Sequence, residues 1–130
     1  MLKAALFGHS NWWIVVVLAM VLVITVITDG LVRRRRWKKL DHVLSLIFVI
    51  ALDIQFLLGG LLWVVMRKWQ TGLAGVEHPV TMITAIAVAH IGFVKVKKSE
   101  SDAGRFKAAA AGFLIASALV CFGIWRVIQK

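Results

Sequence analysis

The stretch Glu77–Gly92, EHPVTMITAIAVAHIG, is an apolar segment that carries one histidine at its start and another near its end. An ionisable side chain inside a membrane segment is costly to place there, so it marks a functional site by default. Three more apolar runs occur in this 130-residue chain, which is 61% hydrophobic. Each run is near the roughly 20 residues that a spanning helix needs. The sequence therefore predicts an all-α polytopic membrane protein.

We predict one domain, residues 1–130, with transmembrane helices at about 11–32, 40–66, 79–96 and 105–128. Short connections favour antiparallel neighbours, so the four helices should form an antiparallel bundle. Pro79 suits the first position of the third helix, where its missing N–H has no consequence. In the fourth helix small residues recur every fourth position, which predicts close helix packing. These residues are Gly104, Ala108, Gly112 and Ala116.

The formal net charge is +10, but the basic residues concentrate in the inter-helix segments 33–39 and 95–107. This distribution is typical of cytoplasmic loops, so both termini should lie outside. It argues against nucleic-acid binding and favours contact of the loops with the bilayer and its anionic head groups. The single cysteine, Cys121, has no second cysteine with which to form a disulfide within the chain.

This topology sorts the four histidines into two layers. His9 and His78 fall in the outer layer, and His42 and His90 fall in the inner layer. Facing imidazoles from different helices suit haem iron, because neutral imidazole nitrogens ligate the metal and a helix bundle can hold a flat macrocycle. We therefore expect His9 to pair with His78 and His42 to pair with His90, as ligands of one or two haems.

One haem cannot use both histidines of the third helix. Twelve helical residues separate His78 from His90, which is about 18 Å of rise and about 120° of rotation. The outer position is favoured, because a helix N-terminus next to His78 disfavours the imidazolium form. Beyond Met82 the same helix face has only the small residues Ala85, Ala89 and Gly92, which leaves room for a flat ring.

Purely structural roles remain open for these polar groups. His9 could bind head groups or water, His42 could simply end a helix, and His90 could bond a neighbouring helix. An aspartate at mid-membrane, Asp53, must be protonated, paired or hydrated. Together with Gln55 and Glu77, it is a candidate for contacts with protons or a quinone. Asp53 and Gln55 could also bond a histidine or a haem propionate.

Several segments resemble short bacterial four-helix integral membrane proteins commonly called cytochrome b or b-type-cytochrome-like. The matching segments are Gly8-His9-Ser10-x-x-Trp13, Lys39-Leu40-Asp41, Ser45-Leu46, Gln55-x-Leu57-Leu58-Gly59, Glu77-His78-Pro79, Met82 and Ala89-His90-Ile91-Gly92. The resemblance implies a haem b electron carrier of the bacterial inner membrane, working near the quinone pool. It is strongest at His9, His78 and His90, whereas His42 lies outside the matching segments.

The leading hypothesis is thus a membrane-embedded b-type haem protein that carries electrons, alone or with other redox subunits. Whether the chain is an enzyme is uncertain from its sequence, although an electron carrier or a complex subunit fits so small a bundle better. The first alternative is a haem-free accessory subunit of a membrane complex. The second is a small proton-coupled transporter that uses Asp53, Glu77 and His90, although the chain shows no internal repeat.

Overall fold

The computed structural model describes residues 2–129, with the side chain of Ala74 excepted. Met1 and Lys130, which the predicted domain includes, lie outside the described residues. The helices are α1 (Leu2–Arg33), α2 (Lys39–Val65), α3 (Leu73–Lys98) and α4 (Asp102–Gln129), with a short 3-10 turn at Lys68–Thr71. All four helices are long and apolar enough to cross a membrane. The predicted all-α membrane fold is confirmed.

The four helices form a closed antiparallel ring. Both α1 and α3 pack on α2 and on α4, so α1 and α3 lie diagonally opposite each other. Apolar side chains fill the centre, where the rings of Phe48 and Phe113 meet edge to face with centroids 5.6 Å apart. We call the end where α1 and α3 finish the basic end. The opposite end, where α1 and α3 begin, is the histidine end.

Helix α1 begins nine residues earlier than the predicted start at residue 11. Polar residues, among them Ser10 and Asn11, lie at that predicted start and would be expected to precede the helix. Instead, the Asn11 side chain donates a hydrogen bond to the Phe7 carbonyl at 2.7 Å, one turn back. A polar side chain satisfied by its own helix does not interrupt it, and His9 is therefore a helical residue of α1.

Helix α3 begins at Leu73, so Pro79 lies inside the helix rather than at its first position. The connection between the second and third predicted helices, residues 67–78, is correspondingly shorter. A proline within a helix leaves the carbonyl four residues earlier without its usual donor, here that of Gly75. The Trp63 indole N–H of α2 donates to that carbonyl at 2.7 Å. The tryptophan replaces the missing backbone donor, which explains how the helix continues through Pro79.

The remaining helix bounds agree closely with the prediction, as does the role of the small residues in α4. Gly112 of α4 faces Gly92 of α3, and a Cβ built on Gly112 would lie 2.6 Å from the Gly92 Cα. On the same face of α3, Ala85 and Ala89 are fully buried. The small residues of this face thus serve close packing of α3 against α4, and the room expected there for a flat ring is filled.

One arginine closes the basic end. The Arg35 guanidinium donates to Asp29 of α1 at 2.8 Å and to both carboxylate oxygens of Asp41 of α2 at 2.7 and 2.8 Å. It also lies over the Phe106 ring of α4, 5.1 Å from its centroid. Charge-assisted hydrogen bonds of this kind are the strong ones, and these carboxylates raise the Arg35 pKa above its usual value. Arg35 therefore joins three helices at this end.

Candidate functional site

His9 and His78 line the same cavity at the histidine end. The cavity has a volume of about 230 Å³, and its walls come from all four helices: His9, Trp13, Gln55, His78, Ile124, Val127 and Ile128. Because α1 and α3 are diagonal in the ring, the two histidines come from helices on opposite sides of the bundle. The structure thus brings together the two histidines predicted for the outer layer.

The His9 imidazole lies directly against the backbone of α2. A Cβ built on Gly59 would lie 2.8 Å from His9 Cε1, so only glycine leaves the ring its present place. One turn along α2, the Gln55 amide donates to the His9 backbone carbonyl at 3.1 Å. The Nδ1 atom of His9 is buried and has no hydrogen-bond partner within residues 2–129. Buried polar atoms of this kind are rare and call for an explanation.

His78 has a matching arrangement on the other side of the bundle. A Cβ built on Gly123 of α4 would lie 3.7 Å from both Cε1 and Nδ1 of His78, and 3.0 Å from the Met82 sulfur. Gly123 therefore lets α4 approach these α3 side chains closely. Because α3 begins at Leu73, His78 lies in its second turn. A helix dipole acts within the first turn, so the predicted effect of the helix N-terminus on His78 is wrong.

Glu77 lies next to His78 in the chain and forms an ion pair with α4. The Arg126 guanidinium donates to both Glu77 carboxylate oxygens, with Nη2 3.0 Å from Oε2. A bidentate pair of this kind fixes orientation as well as charge. It joins α3 to α4 beside the cavity, a role that the sequence had not assigned to either residue.

Asp53 of α2 meets His90 of α3 near the middle of the bundle. The His90 Nε2 atom and the Asp53 Oδ1 atom lie 2.8 Å apart and share a hydrogen bond. The two side chains are 47% and 40% exposed, so the pair faces outward, where the bilayer surrounds a lone chain. Of the alternatives that the sequence left open, His90 bonds a neighbouring helix and Asp53 has a partner.

His42 has a different neighbour and does not face His90. Its ring lies against the Phe93 ring with centroids 5.4 Å apart. His90 bonds α2 at Asp53, which is eleven residues, or about 16 Å of helix rise, beyond His42. The predicted inner pair is therefore not assembled as two facing imidazoles. Asp53, Gln55 and Glu77 are also dispersed, since Gln55 lines the cavity, Asp53 faces outward and Glu77 pairs with Arg126.

Sequence reasoning missed three residues that position this end of the bundle. Trp63 could have been found from Pro79, because a proline inside a helix frees a carbonyl that needs a donor. Arg126 lies near the end of an apolar run, where a single basic residue does not reveal its partner, and Gly123 carries no local signal at all. Its importance comes from which residues of α3 it faces, and spacing along one helix does not reveal that.

No cluster of three or more His, Cys, Asp or Glu side chains that could hold a metal ion occurs within residues 2–129. His9 and His78 are two residues that line one cavity, fewer than such a cluster requires. Comparison of the chain with protein-family models, with curated proteins and with solved structures gave no match.

Proposed function

We propose that this chain is a membrane-embedded b-type haem protein that carries electrons, with the haem iron between His9 and His78. The single observation that carries the proposal is that these two imidazoles, from diagonal helices, line one cavity. Helix bundles build cofactor sites in their interior from side chains on facing helices. When bound, a haem would supply one-electron transfer, and this chain would supply the ligands, their orientation and an apolar surround.

The residues around the cavity fit such a group in their chemistry. His9 Nδ1 is a buried nitrogen with no hydrogen-bond partner among the described residues. Gly59 and Gly123 are small where the two imidazoles pack, so each ring is held against a neighbouring backbone. The Gln55 bond to the His9 carbonyl fixes that turn of α1. Ligands held by packing in this way keep their geometry during electron transfer.

The size of the cavity sets a condition on binding. Its volume of about 230 Å³ is below the roughly 300–1,000 Å³ of typical small-molecule sites. Room for a haem must therefore come from movement of exposed side chains in the lining. Trp13 and Ile128 line the cavity, are 43% and 74% exposed, and do not belong to the buried core. A second haem at His42 and His90 forms no part of the proposal, since these residues contact Phe93 and Asp53 instead.

The test is an optical one. The protein is produced in haem-replete cells and purified in detergent, and its reduced-minus-oxidised spectrum and pyridine haemochrome are recorded. We expect about one haem b per chain, lost in His9→Ala and in His78→Ala. His42→Ala is the matched control and should keep its haem. A wild-type protein without a Soret band would overturn the proposal, and haem retained in both ligand variants would refute this ligand pair.

Orientation and partners belong to the same proposal. Arg33, Arg34, Arg36, Lys38 and Lys39 gather at one end of the bundle with the lysines of α3. This supports a cytoplasmic position for that end in a bacterial cytoplasmic membrane, with the N-terminus outside. Electron partners would be other membrane redox subunits or a quinone. With four helices, the C-terminus should also lie outside. If a reporter that functions only in the cytoplasm is fused after residue 129 and is active, that result would contradict this orientation.

One observation favours a second candidate function, a haem-free accessory subunit of a membrane complex. The Asp53–His90 pair faces outward at mid-bundle, and polar side chains that meet lipid there are costly. A partner helix covering the pair would remove that cost. Co-purification of a stoichiometric membrane partner that is lost in the double variant Asp53→Leu/His90→Leu, without haem in either preparation, would select this function. The transporter hypothesis gains no support, because Glu77 pairs with Arg126 far from Asp53.

A further inference from the structure

A second cavity lies at the basic end, outside the histidine site. It occupies about 450 Å³ between the end of α1 and the first turns of α4. The lining residues are Gly30, Leu31, Arg34, Arg35, Arg36, Asp102, Ala103, Phe106 and Lys107. This volume falls within the roughly 300–1,000 Å³ of small-molecule sites, so it can hold more than one small ion.

The side of the cavity toward the membrane is apolar. Phe106 is 1% exposed and packs against Gly30, where any Cβ would overlap its ring. Leu31 is 37% exposed and borders the cavity on its outer side. The glycine thus lets a phenyl ring from α4 reach α1, where the Arg35 guanidinium also covers it. The exposed apolar floor of the cavity is therefore formed by Leu31 and Ala103. Such a floor suits carbon atoms next to a charged group.

The side of the cavity away from the membrane is cationic, and its charges are available. Arg35 is committed to Asp29 and Asp41. By contrast, the side chains of Arg34, Arg36 and Lys107 have no hydrogen-bond or ion-pair partner in the described part of the chain. The one carboxylate of the lining, Asp102, is paired with Arg105 at 3.2 Å. Three unneutralised cations therefore surround the opening.

The backbone that carries two of these cations is fixed. Arg34 has a left-handed φ of 52°, which ends α1 and reverses the chain. The next residue, Arg35, is anchored by its bonds to α1 and α2, including one to the Val26 carbonyl at 3.0 Å. Arg34 and Arg36 flank this anchor, so their backbone is held at the cavity before any ligand binds. On binding an anion, Arg34 and Arg36 therefore lose the freedom of their side chains but not that of their backbone.

We propose that this cavity is a binding site for the phosphate group of an anionic phospholipid from the surrounding bilayer. The phosphate lies among Arg34, Arg36 and Lys107, and the glycerol and first acyl carbons lie on the floor formed by Leu31 and Ala103. The N-terminal end of α4 adds a favourable dipole for the anion. Basic pockets between membrane helices at the head-group level recognise such lipids. This site does not depend on haem binding.

The test is lipid binding by the full chain, measured by native mass spectrometry after delipidation in a neutral detergent. Phosphatidylglycerol is the probe, phosphatidylcholine is the zwitterionic reference, and soluble glycerol phosphate is the competitor. The pocket variant is Arg36→Gln/Lys107→Gln. Its matched control is Lys95→Gln/Lys98→Gln, which removes two exposed charges at the same end but outside the cavity. Unchanged elution and helical content establish that each variant is folded.

We expect wild type and control to retain one phosphatidylglycerol in preference to phosphatidylcholine. The pocket variant should bind it roughly thirtyfold more weakly, from about fivefold for each charge removed. Millimolar glycerol phosphate should not displace the lipid, because it lacks the acyl carbons. Equal weakening in the pocket and control variants would overturn the site, as would unchanged binding in the pocket variant. Full displacement by glycerol phosphate would contradict a lipid as the source of the bound phosphate group.

Discussion

The two ends of this bundle are closed by different chemistry. At the basic end, Arg35 meets the carboxylates of Asp29 and Asp41 with its charge and hydrogen bonds satisfied. At the histidine end, two imidazoles and an amide from three helices surround a cavity, and His9 Nδ1 lacks a hydrogen-bond partner among the described residues. A satisfied buried ion pair is costly to break, whereas a buried polar atom without a partner calls for an explanation, such as a ligand, a water or strain.

The largest expected effect separates the structural role of the basic end from any role in haem binding. Arg35→Met removes the cation that pairs with Asp41, a side chain that is only 1% exposed. Breaking a buried ion pair typically costs 3 kcal/mol or more, so we expect the free energy of unfolding to fall by about 3 kcal/mol. Unfolding in mixed micelles measures it, and haem content per folded chain should not change. Arg33→Met is the control, because its pair with Asp29 is exposed and should contribute little. Equal destabilisation in the two variants would contradict the special role of Arg35.

The next effect concerns the histidine end and compares adjacent glycines. Gly59→Ala should destabilise by about 2 kcal/mol, because its Cβ overlaps the His9 ring and overpacking has costs of this size. Haem content should fall together with stability. A Cβ on Gly60 would have no neighbouring atom within 4 Å. Gly60→Ala should therefore be neutral, or stabilise by about 0.5 kcal/mol because alanine favours the helix more than glycine does. A smaller loss of haem in Gly59→Ala than in Gly60→Ala would argue against the position of His9.

A smaller effect tests how α2 supports the start of α3. Trp63→Phe removes the indole donor from the Gly75 carbonyl, and we expect a loss of about 1 kcal/mol. Pro79→Ala supplies a backbone N–H for the same carbonyl, so Trp63→Phe should be less damaging in that background. The double-mutant cycle measures this coupling. Trp69→Phe serves as the control, since Trp69 only stacks on Trp63. Additive effects of Trp63→Phe and Pro79→Ala would contradict the conclusion that the Trp63 indole N–H replaces the backbone N–H that Pro79 lacks.

The smallest effect distinguishes the outer imidazoles from the inner ones. His90→Ala removes the hydrogen bond with Asp53, and such bonds between membrane helices average about 0.6 kcal/mol. We expect a change of this size in micelles and no change in haem content. A loss of haem in His90→Ala that matches the loss in His78→Ala would instead restore the inner haem and revise the proposed ligand pair.

Much of the fold could be predicted from the hydrophobic runs and the charged segments between them, and the wrong predictions have specific causes. The bounds of α2 were predicted within one residue, because charged segments end its apolar run at both sides. The starts of α1 and α3 were placed too late. In α1 a polar turn bonds its own helix, and in α3 an interior proline is compensated by Trp63. In both helices the stabilising hydrogen bond involves a residue at another position, so residues that usually end a helix do not reveal that the helix continues.

The sequence by itself determined the four apolar helices, the concentration of charge at one end and the set of polar residues available for chemistry. Each of these depends on composition and spacing along one segment. The tertiary structure decided how those residues are brought together: His9 and His78 line one cavity, His90 bonds Asp53, and Arg35 bonds Asp29 and Asp41. The reason is physical, since partners on different helices are selected by helix rotation and relative height. Those are set by packing contacts, such as that between Gly92 and Gly112, which no single segment encodes.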